Sequence, residues 1–359
     1  MRVLILTDAM FASRERTFLE RLEVGLADEG VRVIHAVPES VAESLTAGLG
    51  APVLAYEPRS FAITRPLAVA RVTRALTKML DVEDRTVDVV HVFGGTAWAL
   101  GADMAKALGA ALALEVWRSG LVDRARGLGT VEARRVLVAP DPAIERALTA
   151  GTEQRTVRLA AWGAYAEPRV RPLLRDGATP TAMIVGAGRD RAAYAAVVQG
   201  LAHASRAAPD LMIFCDALAA RRAGLWALAR RLGLLPRFSL IDELEARRDL
   251  LLQGDLLIQP DAHGEARSVI LDAMGAGVLV VAAADPMVSV LIDARTARLA
   301  PQGDVNAWGK VLTEVLDDRA RARALAESAH VFVRSNRRAS DHVRAVLRAY
   351  EAAGVRRPE

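Results

Sequence analysis

The sequence predicts an α/β protein built from two Rossmann-like domains, and three observations carry that reading. Short runs rich in Val, Ile and Leu alternate with helix-length amphipathic segments, the pattern of parallel sheets covered by helices. The alternation runs from Arg2 to Tyr165 and restarts at Thr181. Between the two series, Glu167 to Pro180 carries Pro168, Pro172 and Pro180 in a charged mix, the composition of an interdomain linker. The expected organisation is a first domain over 1–166, a linker over 167–180, a second domain over 181–338 and a final helix over 339–359 packing back toward the first. The domains are expected to face each other across a cleft, with ligands beyond the carboxyl ends of the strands.

The first series opens with the strand Arg2 to Leu6 and the polar loop Thr7 to Arg16. A helix follows over Arg16 to Glu29, with Phe18, Leu19, Leu22, Val24 and Leu26 as its apolar positions, then Gly30 and the strand Val31 to Ile34. This is a βαβ unit, but its first turn lacks G-x-G-x-x-G, which argues against bound NAD or FAD. Pro52 to Tyr56 reads as a strand and Pro66 to Leu80 as a helix with Arg65, Arg71, Arg74 and Lys78 on its polar side. That polar side is either a plain solvated face or a weak peripheral contact with acidic lipid. Strands at Val87 to Phe93, Ala111 to Trp117, Val136 to Ala139 and Thr156 to Leu159 are interleaved with helices at Thr96 to Leu108 and Pro142 to Ala150.

The second series begins with the strand Thr181 to Val185 and the turn Gly186-Ala187-Gly188-Arg189-Asp190-Arg191. Helices at Ala192 to Ala207, Ala219 to Leu232 and Leu244 to Leu252 alternate with strands at Leu211 to Cys215, Phe238 to Ile241 and Asp255 to Ile258. A polar loop then leads into a helix over Arg267 to Met274, stopped by Gly275 and Gly277, and into the strand Val278 to Val281. A turn at Pro301 to Asp304 precedes helices over Val305 to Leu316, Arg319 to Arg334 and Ala339 to Ala353.

Composition narrows the function classes. A chain of 359 residues with 52% apolar and 25% charged residues is globular and long enough for two cores. No run of 18 apolar residues exists, and the chain opens on a strand without a basic leader, so no membrane span or signal peptide is expected. The single cysteine, Cys215, sits in an apolar strand and can form no intrachain disulfide, which fits a reducing, cytoplasmic setting. The six histidines show no metal spacing, so no metal and no resident cofactor are expected. Aromatic residues are 4% of the chain and do not interleave with basic ones, which argues against nucleic acid.

The richest chemistry lies in Gln259 to Ala284. Its loop gathers Asp261, His263 and Glu265, and the helix that follows carries Arg267, Ser268 and Asp272. A loop feeding a helix N-terminus after a parallel strand binds anions, because unpaired N–H groups and the helix dipole point there. Glu265 and Asp272 are seven apart, and if the helix extends back over both they project from one face. The Gly186/Gly188 turn with Arg189 and Arg191 is a second candidate. His91, in an apolar strand, reads either as a satisfied core histidine or as a site residue; Gly94 and Gly95 either shape a turn or admit a ligand to the backbone; Trp162 either stacks on a ligand or packs between domains.

Ser268 to Ala282 is similar to the second half of the motif E-G-F-G-x-x-x-x-E-A-M-A-x-G-x-P-V-V-A. The turn Pro301 to Asp304, the tail Leu347 to Tyr350, and Asp88-Val89-Val90-His91 with Gly94-Gly95 also match one family. On these residues the chain resembles the family 4 (group 1) glycosyltransferases, of GT-B architecture, with a divergent donor-site motif. The resemblance implies transfer of a sugar from a UDP- or GDP-sugar with retention of configuration and without a metal. The donor would sit in the second domain. An acceptor, whether glycan, lipid-linked or small molecule, would sit in the first, chosen by loops such as Thr7 to Arg16 and Gly120 to Gly129. It also implies that Asp272 holds the donor ribose. Arg189, Arg191 and Arg267, with Ser268, Gly186 and Gly188, would bind the rest of the donor, and Glu265 and His91 would be catalytic.

The chain departs from the family pattern at several points. The first motif glutamate falls on Gly264, so Glu265 stands one residue late. No lysine follows Arg189, where Tyr194 stands instead; Trp117 and Arg118 replace a histidine, and Asp285-Pro286-Met287 replaces a glycine pair. These departures motivate an alternative: a non-catalytic GT-B protein that binds a nucleotide or sugar nucleotide, or serves as an assembly partner.

Overall fold

A computed structural model describes residues 1–58, 65–79, 87–128, 134–150 and 157–356. Leu80, Gly129 and Thr156, which the sequence reading placed in a helix, a loop and a strand, lie outside the described residues. The chain divides into two compact units, Met1–Trp162 with Ala339–Glu359, and Gly163–Arg338.

Unit 1 begins with β1 (Arg2–Thr7), α1 (Ala9–Arg14), α2 (Arg16–Asp28), β2 (Arg32–Pro38), α3 (Glu39–Thr46), β3 (Val53–Tyr56) and α4 (Arg65–Met79). It continues with β4 (Val89–Phe93), α5 (Trp98–Leu108), β5 (Ala111–Glu115), α6 (Val122–Arg126), β6 (Arg135–Ala139), α7 (Pro142–Thr149) and β7 (Val157–Leu159). The strands form one parallel seven-stranded sheet in the order β3-β2-β1-β4-β5-β6-β7. β1, β4 and β5 are buried along their whole length, which is why they read as continuous apolar runs rather than alternating ones. The loop expected at Thr7 to Arg16 contains α1, because Asp8 accepts the Phe11 N–H at 2.9 Å and caps a helix there. In α2, Phe18, Leu19, Leu22 and Leu26 are buried on one face, while Val24, read as core, points outward. Each such burial stabilises the fold by about 1.5–3 kcal/mol.

Unit 2 contains β8 (Thr181–Ile184), α8 (Arg191–Ala204), β9 (Met212–Asp216), α9 (Ala217–Ala223), α10 (Leu225–Arg231), β10 (Phe238–Ile241), α11 (Arg248–Leu251) and β11 (Leu256–Gln259). It ends with α12 (Ser268–Ala276), β12 (Leu279–Ala283), β13 (Arg298–Ala300), α13 (Val305–Asp317) and α14 (Arg319–Asn336). Its parallel six-stranded sheet has the order β10-β9-β8-β11-β12-β13. Two expected helices are each divided. Gly224, in the left-handed region, separates α9 from α10, and Glu243 (φ 53°) opens a 3-10 turn at Leu244–Ala246 before α11. The stretch 167–180 is not a bare tether. Leu173 and Leu174 are buried in the core of unit 2, and Asp255 accepts the Leu174 and Thr181 N–H groups at 2.8 and 2.9 Å.

The last helix, α15 (Ala339–Ala352), belongs to unit 1 and packs on α2, β5, β6 and β7. His342 on α15 meets Phe18, which also stacks on Trp162 at 4.2 Å in an aromatic cluster with Phe11, Phe93 and Trp117.

Candidate functional site

In unit 2 the chain winds outward from β8 in two directions, through β9 and β10 on one side and through β11 to β13 on the other. The connections after β8 and β11 therefore part company at the carboxyl end of the sheet, the switch point where open α/β sheets take ligands. Both candidate loops found in the sequence converge here. The Gly186/Gly188 turn follows β8, and the loop carrying Asp261, His263 and Glu265 follows β11 and ends at α12.

Three arginine–carboxylate ion pairs and one histidine–carboxylate contact hold this region. Arg189 Nη1 lies 3.4 Å from Glu265 Oε1, and Glu265 is buried. Arg267, immediately before α12, is paired with Glu245, whose other oxygen accepts the Gly186 N–H at 2.6 Å. His263 Nε2 lies 3.1 Å from Asp261 Oδ2. Beneath the loop, Arg248 is buried and spends all three nitrogens: Nε on Asp272 Oδ2 at 3.0 Å, Nη2 on Ser268 Oγ at 3.0 Å and Nη1 on the Glu245 carbonyl at 2.7 Å. Asp285, after β12, accepts the Gly264 N–H at 2.7 Å and the Met287 N–H at 2.9 Å. This explains what the Asp285-Pro286-Met287 departure does: a side chain ties the β11 loop to the β12 loop.

Gly186 has φ +115°, and a Cβ there would overlap the Tyr194 hydroxyl, which donates to the Val185 carbonyl at 3.0 Å. Glycine at this position serves packing of the turn on Tyr194. Gly188 likewise abuts Ala219 of α9. Arg191 stands apart: it is exposed, and its Nε donates to the Arg222 carbonyl at 3.0 Å rather than joining the cluster.

The electrostatic balance of the cluster is acidic. Glu245, Asp261, Glu265, Asp272 and Asp285 face three guanidiniums, those of Arg189, Arg248 and Arg267. The neighbouring Asp216 carboxyl is raised from its usual range by burial and by the charge of Glu245. Glu245 and Arg248 went unmarked in the sequence, where Asp285 stood out only as part of a departure from the family pattern. Arg248 sits beside Arg247 in a charged stretch, and nothing in the order of residues separates the buried one from its exposed neighbour. Among the described residues no group of three or more His, Cys, Asp or Glu side chains could hold a metal ion.

Unit 1 has its own switch point, between β1 and β4. Asp8 follows β1 and accepts Thr96 Oγ1 at 3.0 Å from the turn after β4. Gly94 (φ +99°) leaves no room for a Cβ, which would overlap the Asp8 carboxylate, so this glycine fits a side chain of its own chain.

The structure corrects the catalytic reading of His91. Its ring is fully buried, with Nδ1 hydrogen-bonded to the Tyr350 hydroxyl at 2.9 Å and Nε2 to Glu115 Oε2 at 3.2 Å. Both nitrogens are engaged within unit 1 and neither reaches solvent. Burial pulls His91 down to about 3, so the imidazole is neutral at pH 7. Glu115, which the sequence did not flag, is pushed up to about 8 by burial, against the lowering effect of the Trp162 Nε1 hydrogen bond at 2.8 Å. Trp162 is buried and packs on Phe18 within unit 1. Trp117 packs edge-on against Phe11 at 5.4 Å.

No protein-family model matches the sequence, and a comparison with curated proteins finds no match. Solved structures do match in shape. A glycosyltransferase from Rickettsia africae superposes with a TM-score of 0.72 at 12% identity, covering 98% of each chain. Alr3699/HepE from Anabaena, in complex with UDP and glucose, gives 0.71 at 16% identity, covering 98% of this chain and 99% of that one. The sucrose-phosphate synthase of Thermosynechococcus elongatus gives 0.70 at 14% identity, covering 98% of each. Two parallel α/β units, of seven and six strands, and these neighbours together define the GT-B fold of glycosyltransferases.

Proposed function

We propose that the protein is a glycosyltransferase that takes a sugar from a UDP- or GDP-linked donor held in unit 2 and transfers it, with retention of configuration, to an acceptor bound by unit 1. The observation that carries this reading is the convergence of Arg189 and Arg267 on the N-terminus of α12 at the β8/β11 switch point. A nucleoside diphosphate leaving group develops negative charge as the glycosidic bond breaks, and fixed cations and N–H dipoles aimed at it lower the barrier. Arg189 and Arg267 would exchange their carboxylate partners for phosphate oxygens. The Gly186/Gly188 turn would set the approach, and Asp272 with Ser268, aligned by Arg248, would receive the ribose. Glu265, freed from Arg189, would face the donor sugar. On this reading the diphosphate charge is met by protein groups without a metal, in a cytoplasmic enzyme, and the acceptor is a glycan, a lipid-linked saccharide or a small molecule.

The neighbour complexed with UDP and glucose supports a donor of this class. The test is thermal unfolding with UDP, GDP and their sugar conjugates at millimolar concentration, followed by donor hydrolysis and NMR assignment of the product anomer. A ligand at one hundred times its Kd raises stability by about 2.7 kcal/mol. No shift with any nucleotide or nucleotide-sugar rejects the reading.

A second reading is favoured by one observation: carboxylates already occupy both arginines, and they outnumber the guanidiniums around them. A GT-B protein that binds a nucleotide or sugar nucleotide, or assembles with a partner, without turnover would retain such pairs. Nucleotide binding without hydrolysis or transfer across a broad acceptor panel selects it; turnover abolished by Asp272→Ala removes it.

A further inference from the structure

Residues 217–241, which form α9, α10 and the edge strand β10, carry Arg221, Arg222, Arg230, Arg231 and Arg237 and no Asp or Glu. Arg221, Arg230, Arg231 and Arg237 enter no side-chain hydrogen bond or ion pair among the described residues. The same short stretch exposes apolar side chains. Of the nine large hydrophobic residues exposed among the described residues, four lie here: Leu218 at 45%, Trp226 at 49%, Leu232 at 37% and Leu240 at 38%. The opposite face is ordinary core, with Ala219, Ala220, Leu225, Leu228 and Ala229 buried. α9 packs on β9 and β10, and α10 packs on α8 and α9, so these exposed residues lie along one margin of unit 2.

A solvated helix face carries mixed charges and few large apolar groups. Residues 217–241 carry one sign of charge interleaved with leucines and a tryptophan, with the first acids, Asp242 and Glu243, standing just past the end of β10. We propose that this margin docks on an anionic phospholipid surface, with the arginines meeting the headgroups and Trp226, Leu218 and Leu232 entering the boundary with the acyl chains. The mixture selects that occupant. Lipid phosphates and carboxylates complement the unpaired guanidiniums, and only a bilayer offers an apolar layer directly beneath them. Nucleic acid would use stacking platforms, and the leucines have nothing to meet on a phosphodiester backbone. Tryptophan is suited to the interface because its ring is apolar and its N–H stays wet.

The chain supplies its own reporter. It has five tryptophans, of which Trp98, Trp117, Trp162 and Trp308 are at most 2% exposed and Trp226 is half exposed. A change in tryptophan emission on adding vesicles therefore reads Trp226. The experiment titrates the full chain with phosphatidylcholine vesicles and with phosphatidylcholine–phosphatidylserine vesicles, following emission and co-sedimentation. The expected result is a blue shift and co-sedimentation only with the anionic vesicles, lost in high salt, where charges are screened within about 3 Å at 1 M. Reversing Arg230 and Arg231 to Glu should weaken partitioning at least about tenfold, and Trp226→Ser should abolish the emission change while the far-UV spectrum is kept. The proposal is overturned by absence of binding, by equal binding to neutral vesicles, or by a Trp226-dependent dimer. Binding that survives these variants and is lost when Arg71 and Arg74 of α4 are reversed also overturns it, and assigns the lipid contact to unit 1.

Discussion

Arg248 and Asp272 form a buried ion pair, Nε to Oδ2 at 3.0 Å, and the same guanidinium reaches Ser268 Oγ and the Glu245 carbonyl. The helix that faces the candidate ligand site is thus fixed from below by a residue that does not belong to it. Removing one partner of such a pair strands a buried charge. Arg248→Met is expected to destabilise the protein by about 3–5 kcal/mol, and the double variant Arg248→Met/Asp272→Leu to recover much of that loss. Chemical denaturation of the four members of the cycle measures the coupling. Arg248→Lys should fail to rescue, because an ammonium cannot span three acceptors in the planar geometry that a guanidinium provides.

Arg189 and Glu265 make a different kind of pair, half open to solvent on the arginine side. Its worth to stability is expected to be below about 1 kcal/mol, so Glu265→Gln should barely change the melting temperature. Its effect on an anionic ligand should be larger. With the competing carboxylate neutralised, UDP or pyrophosphate should bind several-fold tighter, and Arg189→Ala should bind more weakly than wild type. Calorimetric titration at two salt concentrations checks both, since a released arginine makes the affinity more salt-sensitive.

The buried groups of unit 1 set opposing pH limits. His91 and His342 are held near 3 in the folded chain, His342 by burial and then by the charges of Arg21 and His91, against 6.5 when unfolded. Between those values only the unfolded chain takes up the protons, so stability rises with pH from about 3 to 6.5. Glu115, near 8 when folded and 4.5 when unfolded, keeps a proton the unfolded chain has lost, so its contribution falls as pH rises from 4.5 through 8. Denaturant midpoints of unit 1 should therefore peak near pH 6.5, and Glu115→Gln should flatten the alkaline limb and steepen the acid limb between about 4.5 and 6.5, where Glu115 opposes the histidines.

Gly94 and Gly186 are expected to resist substitution for local reasons. Each has positive φ, and each would drive a Cβ into a polar side chain, Asp8 and the Tyr194 hydroxyl respectively. Gly94→Ala should cost about 1–3 kcal/mol, read as a lowered melting temperature, and Gly186→Ala should also loosen the turn that carries Arg189.

Continuous apolar runs made the strands legible, because a parallel sheet covered on both faces leaves no alternation to decode. That is why β1, β4, β11 and β12 stood out, while β13, three residues long and partly exposed, did not. Helix capping was less legible: Asp8 begins α1 in a segment that reads as polar loop. In the candidate site, the loop acids and Arg267 were visible because they cluster in sequence. Arg248 and Glu245 were invisible because their partners lie some twenty residues away and only folding brings them together. His91 misled for the converse reason. It sits in a recognisable motif, but its partners Glu115 and Tyr350 come from other elements and use up both ring nitrogens.

The hydrogen bond between His91 and Tyr350 joins residues 259 positions apart, and unit 2 lies entirely within that span. Every partner of unit 2 has been synthesised by the time the ribosome reaches Ala339, whereas unit 1 must wait for α15 to emerge before its sheet face is covered. During translation, β5, β6 and α2 therefore pass through a period in which an apolar surface made early stands bare. That interval, rather than the finished structure, is where this chain is most open to chaperone capture or aggregation.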